Sequence, residues 1–83
     1  MYYVYVLKSK KDNNLYTGFS NDLKERIKWH FEGKSQATKW RLPMELVYYE
    51  AYKKKKDATK RELFLKSGRG GEVIQKQLEN SLR

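Results

Sequence analysis

From Tyr2 to Lys8 the chain places Tyr3, Tyr5 and Leu7 on one face of an extended segment and Val4 and Val6 on the other. Apolar groups on both faces predict a central strand covered on both sides. The polar run Lys10-Lys11-Asp12-Asn13-Asn14 reads as a turn built from residues that tolerate positive φ. Leu15 to Phe19 returns as a second short strand, and the short connection makes the pair an antiparallel hairpin. Asp22 with Glu25 three residues on resembles a capping box and opens a helix running to about Phe31. Leu23, Ile27 and Phe31 repeat at helical spacing and are expected to face the core. Gly33 is the expected stop.

Lys34 to Pro43 is a polar, basic loop carrying Trp40 and Arg41. Met44 to Tyr52 is a third strand, in which Leu46 and Tyr48, and Val47 and Tyr49, give apolar groups to both faces. Lys53 to Lys56 is expected to be a solvated turn. Asp57 is positioned to cap a helix from Ala58 to about Ser67, ended by Gly68, with Gly70-Gly71 as a flexible break. From Glu72 the positions Val73, Ile74, Gln77, Leu78 and Leu82 describe a last amphipathic helix, Gln77 being the polar exception. The order β-β-α-β-α-α predicts an α/β chain of the α+β type, a three-stranded, largely antiparallel sheet flanked by three helices.

A length of 83 residues suits one domain, expected to span residues 1–83. So small a domain buries only about 60% of its unfolded surface, and the 7 tyrosines help because each ring buries a large area. The 19 Lys plus Arg against 10 Asp plus Glu leave a net charge of +9, which attracts polyanions and makes nucleic acid the expected partner. Anionic membrane is a weaker alternative, because the amphipathic C-terminal helix is needed for the core. There is no cysteine, which excludes a disulfide framework, a Cys-based zinc knuckle and a Cys nucleophile. A single histidine, His30, excludes a two-histidine metal motif, so any metal sits on oxygen ligands, which favours Mg²⁺, Mn²⁺ or Ca²⁺. The apolar runs fall far below the roughly 20 residues a bilayer needs. The first residues do not read as a signal peptide, and a cytoplasmic location is expected.

Three familiar motifs fail. Gly33-Lys34-Ser35 ends like a phosphate-binding Walker loop, but Lys28 stands where its first glycine belongs. Gly68, Gly70 and Gly71 suggest a dinucleotide fingerprint, but its last glycine falls on Val73. Ser35 with His30 lacks the elbow of a hydrolase nucleophile.

One ordered set remains. Tyr3-Val4-Tyr5 lies on the first strand and Tyr16-Thr17-Gly18 on the second, with ten residues, Val6 to Leu15, between Tyr5 and Tyr16. Arg26 and His30 stand four apart on the first helix and share a face. Glu62 follows within Lys60-Arg61-Glu62-Leu63-Phe64-Leu65-Lys66. This order resembles the GIY-YIG nuclease family, and most closely its small standalone bacterial type, from Tyr2 to about Leu78. The two triplets stand at the family's usual separation, Arg26 and His30 are similar to its Arg-x-x-x-His, and Glu62 fits its metal-binding glutamate. Tyr3 replaces the first glycine, as the standalone type commonly does, and Phe19 stands where some relatives carry a lysine. The family often has an asparagine towards its end, for which Asn80 is the only late candidate.

The resemblance implies a metal-dependent endonuclease hydrolysing DNA phosphodiester bonds, with Tyr5, Tyr16, Arg26, His30 and Glu62 as its catalytic set. One carboxylate suffices for Mg²⁺ or Mn²⁺, because such an ion keeps several waters and takes a phosphate oxygen. Arg26 offers a planar fork for charge developing on the phosphate. Tyr5 or Tyr16 would take the proton of the attacking water, and His30 would accept it, relay it or orient a tyrosine. Gly18 would let the backbone approach substrate or satisfy a strained position. Trp40, Arg41 and Lys66 are candidate substrate contacts, and the Lys53–Lys56 run is a candidate for the DNA backbone. A role in repair or processing of particular DNA structures is an extension of this reading. The alternative is a basic nucleic-acid-binding module that keeps the fold and does not cut, and a third reading is an interaction protein whose lysines serve solubility.

Overall fold

The structure, a computed structural model, describes residues 1–83. Strand β1 spans Tyr2–Ser9, β2 Leu15–Ser20 and β3 Met44–Tyr52. Helix α1 spans Leu23–Phe31, α2 Lys55–Lys66 and α3 Gly68–Gln77. The sheet order is β2-β1-β3, with β1 antiparallel to both neighbours. The expected α+β architecture, with three strands and three helices, is what forms.

The two faces of β1 feed two cores. Val4 and Val6 join Ala58 and Leu65 of α2 and Ile74 and Leu78 from α3 and its end. Tyr5 and Leu7 join Met44, with Leu23 and Ile27 of α1 packed against them. Each fully buried aliphatic side chain contributes about 1.5–3 kcal/mol, so a small domain with two thin cores depends on most of these residues.

α1 is delimited as its sequence predicts. The Asp22 carboxylate accepts from the Glu25 backbone N–H at 3.2 Å. The reciprocal half of the box is taken over by Ser20, whose Oγ accepts from the Asp22 N–H at 2.9 Å. At the other end Gly33 adopts φ +75°. Its N–H bonds to the His30 carbonyl, and the Lys34 N–H bonds to the Trp29 carbonyl, the paired pattern of a Schellman stop. Phe31 departs from expectation: it is 48% exposed, whereas His30 is fully buried. The buried stripe therefore turns from Leu23 and Ile27 to His30, one position short of Phe31.

β3 forms over its expected residues but is not regular. Val6 pairs with Tyr48 and Leu7 with Leu46, so Val47 is the extra residue of a bulge. Leu46 consequently packs with the Tyr5–Leu7 core, while Val47 and Tyr48 pack with the Val4–Val6 core. Simple alternation would have put Leu46 and Tyr48 on one face. The bulge also aims Tyr48, Glu50 and Tyr52 at α2. Both phenols donate to the Glu50 carboxylate, and Arg61 grips it with Nε at 3.0 Å and Nη2 at 3.0 Å. Burial pushes the Glu50 carboxyl up, but the Arg61 fork and the phenols outweigh it and hold it below its ordinary range. Burial and the same carboxylate push Tyr52 up to about 12.

The C-terminal third needs correction. α2 begins at Lys55, inside the lysine run, and its N-cap Lys54 makes no side-chain cap bond. Asp57 lies in its first turn, where it complements the helix dipole, and does not cap it. The glycines are not a break: α3 starts at Gly68 with Ser67 as its cap, the Ser67 Oγ accepting from the Gly70 N–H at 3.1 Å. α3 closes at Gln77 rather than Leu82, and Gln77 turns outward to donate to the Tyr48 hydroxyl at 3.1 Å. No helix is long and apolar enough to cross a membrane.

Candidate active site

The hairpin register places Tyr5 opposite Gly18 and Leu7 opposite Tyr16. Tyr5 and Tyr16 thus lie on the α1 side of the sheet. α1 closes over them, and its buried His30 brings Nε2 to 2.8 Å from the Tyr5 hydroxyl. The other ring nitrogen, Nδ1, lies 2.8 Å from the hydroxyl of Thr38, which is itself fully buried. The Tyr16 ring centroid is 5.3 Å from that of His30. Tyr5, His30 and Thr38 therefore form a continuous buried chain with Tyr16 beside it.

Gly18 has a reason neither sequence reading supplied. A Cβ there would lie 2.3 Å from both Cζ and Oη of Tyr5. The missing side chain is the seat of the Tyr5 ring, and its backbone carries no positive φ. Gly18→Ala is therefore expected to displace the ring, break its bond to His30 and cost about 1–3 kcal/mol, as overpacking does. Urea unfolding measures this directly, and an unchanged midpoint would mean that the ring has room to move.

Arg26, one turn before His30, lies over the Trp29 ring at 4.6 Å. It also lines an open cleft with Ser20, Asn21, Asp22, Glu25 and Trp29. Glu62 stands on α2, and its Oε2 accepts from the Lys66 ammonium at 3.0 Å. That ammonium in turn sits 5.9 Å over the Tyr16 ring. Burial pushes the Tyr5 phenol far above its usual range, the neighbouring Tyr16 adds to this, Arg26 opposes it and Glu62 adds again. These electrostatic effects reach one hydroxyl from β2, α1 and α2 together. Tyr5, Tyr16, Arg26, His30, Glu62 and Lys66 thus come together where β1, β2, α1 and α2 meet, and of these six only Arg26 lines the cleft beside Trp29.

His30 is held below its ordinary value, first by burial and then by Arg26. Above about pH 6.5 the imidazole is neutral in folded and unfolded chains alike. Below that value the unfolded chain takes up a proton that the folded chain resists, so stability falls with acidification towards the lowered folded value. Melting temperatures of wild type and His30→Asn between pH 7.5 and about 5 test this. The wild-type advantage is expected to shrink on acidification, and a constant difference would contradict it.

Two other expected contacts lie apart. Arg41 is engaged by Asp12, its Nε 3.0 Å from the carboxylate, and its carbonyl accepts from Ser9 Oγ at 2.6 Å. Trp40 stands 75% exposed beside it. Asn80 is exposed in the closing turn and makes no side-chain hydrogen bond to any of the five expected catalytic residues. Sequence reading missed Thr38, which no local motif marks, and the Glu50–Arg61 grip, which fixes α2 one residue from Glu62.

The set contains no group of three or more acidic, His or Cys side chains able to cage an ion. A single hard carboxylate such as Glu62 suits Mg²⁺ or Mn²⁺ held largely by water and substrate oxygens, and unlike a calcium site it does not require many protein ligands.

The chain is similar to known proteins. The UPF0213 protein CPE1444 of Clostridium perfringens is 46% identical over 67 residues, covering 80% of this chain and 71% of that one. The UPF0213 protein YazA of Bacillus subtilis is 41% identical over 66 residues, covering 78% and 66%. The solution NMR structure of the UPF0213 protein BH0048 from Bacillus halodurans superposes with a TM-score of 0.58 at 37% identity, over 93% of this chain and 85% of that one. The profile of the GIY-YIG catalytic domain matches residues 1–71, a span that takes in both tyrosine strands, the Arg26–His30 helix and Glu62, and the chain accordingly belongs to the GIY-YIG catalytic domain family, a family of endonucleases.

Proposed function

We propose that this domain is a divalent-metal-dependent endonuclease that hydrolyses DNA phosphodiester bonds. The observation that carries the reading is the buried Tyr5–His30–Thr38 chain with Tyr16, Arg26 and Glu62 gathered around the Tyr5 hydroxyl. A neutral, buried phenol whose one protein partner is His30 Nε2 donates its proton there, which leaves Nδ1–H to donate to Thr38 Oγ1. Tyr5 is a poor free base, because its phenolate is strongly disfavoured. It serves as a relay: the attacking water gives a proton to Tyr5 Oη while the phenol proton passes to His30 Nε2. The Thr38 hydroxyl keeps the imidazole oriented to receive it. Arg26 and Tyr16 would hold the non-bridging phosphate oxygens. Glu62 would hold the ion, which when bound supplies Lewis-acid stabilisation of the phosphate and the leaving oxygen. Lys66, now paired with Glu62, would become available to the phosphate.

Purified protein incubated with plain, nicked, flapped and branched DNA and Mg²⁺ or Mn²⁺ is expected to yield strand cleavage that chelator stops. A preference for branched forms would support a place in DNA repair or processing. Tyr5→Phe keeps the ring on Gly18 and removes the relay, and is expected to slow cleavage by about 10²–10⁴-fold. Salt-sensitive binding with no turnover on any substrate would instead select the non-cutting nucleic-acid-binding module.

A further inference from the structure

We propose that Trp40 is a stacking platform for an unpaired nucleobase, so that the strand held by this domain is single-stranded where it meets the Trp40 turn. The inference rests on the nucleic-acid reading above and adds the form of the substrate.

The domain's two tryptophans are placed differently. The Trp29 ring is covered by Arg26 and packs against His30. The Trp40 ring is 75% exposed, and no aromatic ring of the domain stacks on it. Its backbone, by contrast, is clamped. Ser9 Oγ donates to the Arg41 carbonyl at 2.6 Å, Lys11 Nζ donates to the Trp40 carbonyl at 3.2 Å, and the Arg41–Asp12 pair ties the same turn to the β1–β2 connection. A flexible loop would pay ordering entropy on binding, whereas this turn presents its indole already placed. Trp40 stands two residues along the chain from Thr38, whose hydroxyl holds His30.

Charge selects the occupant. The Lys39 ammonium lies 4.9 Å over the Trp40 ring, Lys11 reaches its carbonyl, and the net charge of the chain is +9. Arg41, the other cation of the turn, is engaged by Asp12. An open π-face among ammonium groups fits a base with its phosphates alongside, the pairing of stacking and backbone attraction that serves single-stranded nucleic acid. In duplex DNA the bases are already stacked on each other, and an indole at this position gains nothing from them.

Binding of a labelled single strand, a blunt duplex and a duplex with a single-stranded flap is measured by fluorescence anisotropy in EDTA, so that no turnover is needed. Wild type is expected to favour the single strand and the flap. Trp40→Ala is expected to weaken those two by about 10- to 100-fold, the size of one base–aromatic stack, and to leave the blunt duplex nearly unchanged. Trp40→Phe is expected to recover most of the loss. Unchanged affinity for the single strand, or an equal loss on all three DNAs, would overturn the proposal. So would a concentration-dependent dimer that Trp40→Ala abolishes while DNA binding persists, since the ring would then serve a second copy of the chain. Absence of cleavage would count against the endonuclease alone and leave this result standing.

Discussion

Glu62→Gln is expected to lower metal-dependent cleavage by about 10³-fold while leaving the fold intact. Lewis-acid stabilisation of a phosphoryl oxygen is worth several kcal/mol, and each 1.36 kcal/mol is a factor of ten in rate. Glutamine preserves the size of the side chain and removes the charge on which an ion depends. The structural consequence is small. The one partner of the carboxylate is Lys66, at 3.0 Å on the same helix and half exposed, and such i,i+4 pairs contribute about 0.3–0.5 kcal/mol. In a domain of this size that loss shifts the melting temperature by only about 1–4 °C. Cleavage by the variant at the wild-type rate would place the ion, or the activity itself, elsewhere. Calorimetric titration with Mn²⁺ in the absence of DNA separates the two outcomes, because an ion held by Glu62 loses affinity in the variant whether or not cleavage is being followed.

The largest expected effect on stability comes from Gly70→Ala. A Cβ at Gly70 would lie 1.7 Å from the Phe64 carbonyl oxygen and 2.5 Å from its carbon, and backbone cannot move aside as a side-chain tip does. To admit the methyl group, α3 must lift from the end of α2, which exposes Ile74 and Leu78, 2% and 6% exposed in the native fold. Uncovering two such side chains forfeits about 3–6 kcal/mol, a large part of the total stability of a domain this small. The neighbouring Gly71 has nothing within 4 Å of the same position, and there alanine is expected to stabilise α3 by about 0.8–1.0 kcal/mol through helix propensity. Urea unfolding of the two variants gives shifts of opposite sign if α3 starts at Gly68. A flexible Gly70–Gly71 break would make both changes small and alike.

The same glycines show where sequence reading stops. Taken alone, Gly68, Gly70 and Gly71 look like an interruption, because glycine weakens a helix wherever nothing else is known. Gly70 is required by the approach of a helix turn six residues earlier, and no local pattern encodes that contact. Phe31 against His30 is a similar case. Helical spacing favours the phenylalanine for the core by its polarity, but the Tyr5 hydroxyl and Thr38 give the imidazole two hydrogen bonds that make its burial tolerable. The bulge at Val47 changes which face Tyr48 occupies, and it follows from the pairing of β3 with β1 rather than from the composition of β3.

Much of the domain was nevertheless determined by the chain itself. Alternation along Tyr2–Lys8, the turn residues after it, the Asp22 cap and the Gly33 stop act over a few residues, and each formed where those residues stand. The strand tyrosines and the Arg26–His30 pair follow from strand and helix periods, whereas Glu62 was singled out by the resemblance to the GIY-YIG family. Only the tertiary structure decided how far α2 and α3 extend, that Gly18 is the seat of Tyr5, that Thr38 completes the His30 chain, and that Arg41 is bound to Asp12 while Trp40 is left open. The physical reason is range: propensity, capping and amphipathic spacing are local energies, whereas the fit of a ring over a glycine or of a helix against a carbonyl exists only once distant segments have packed.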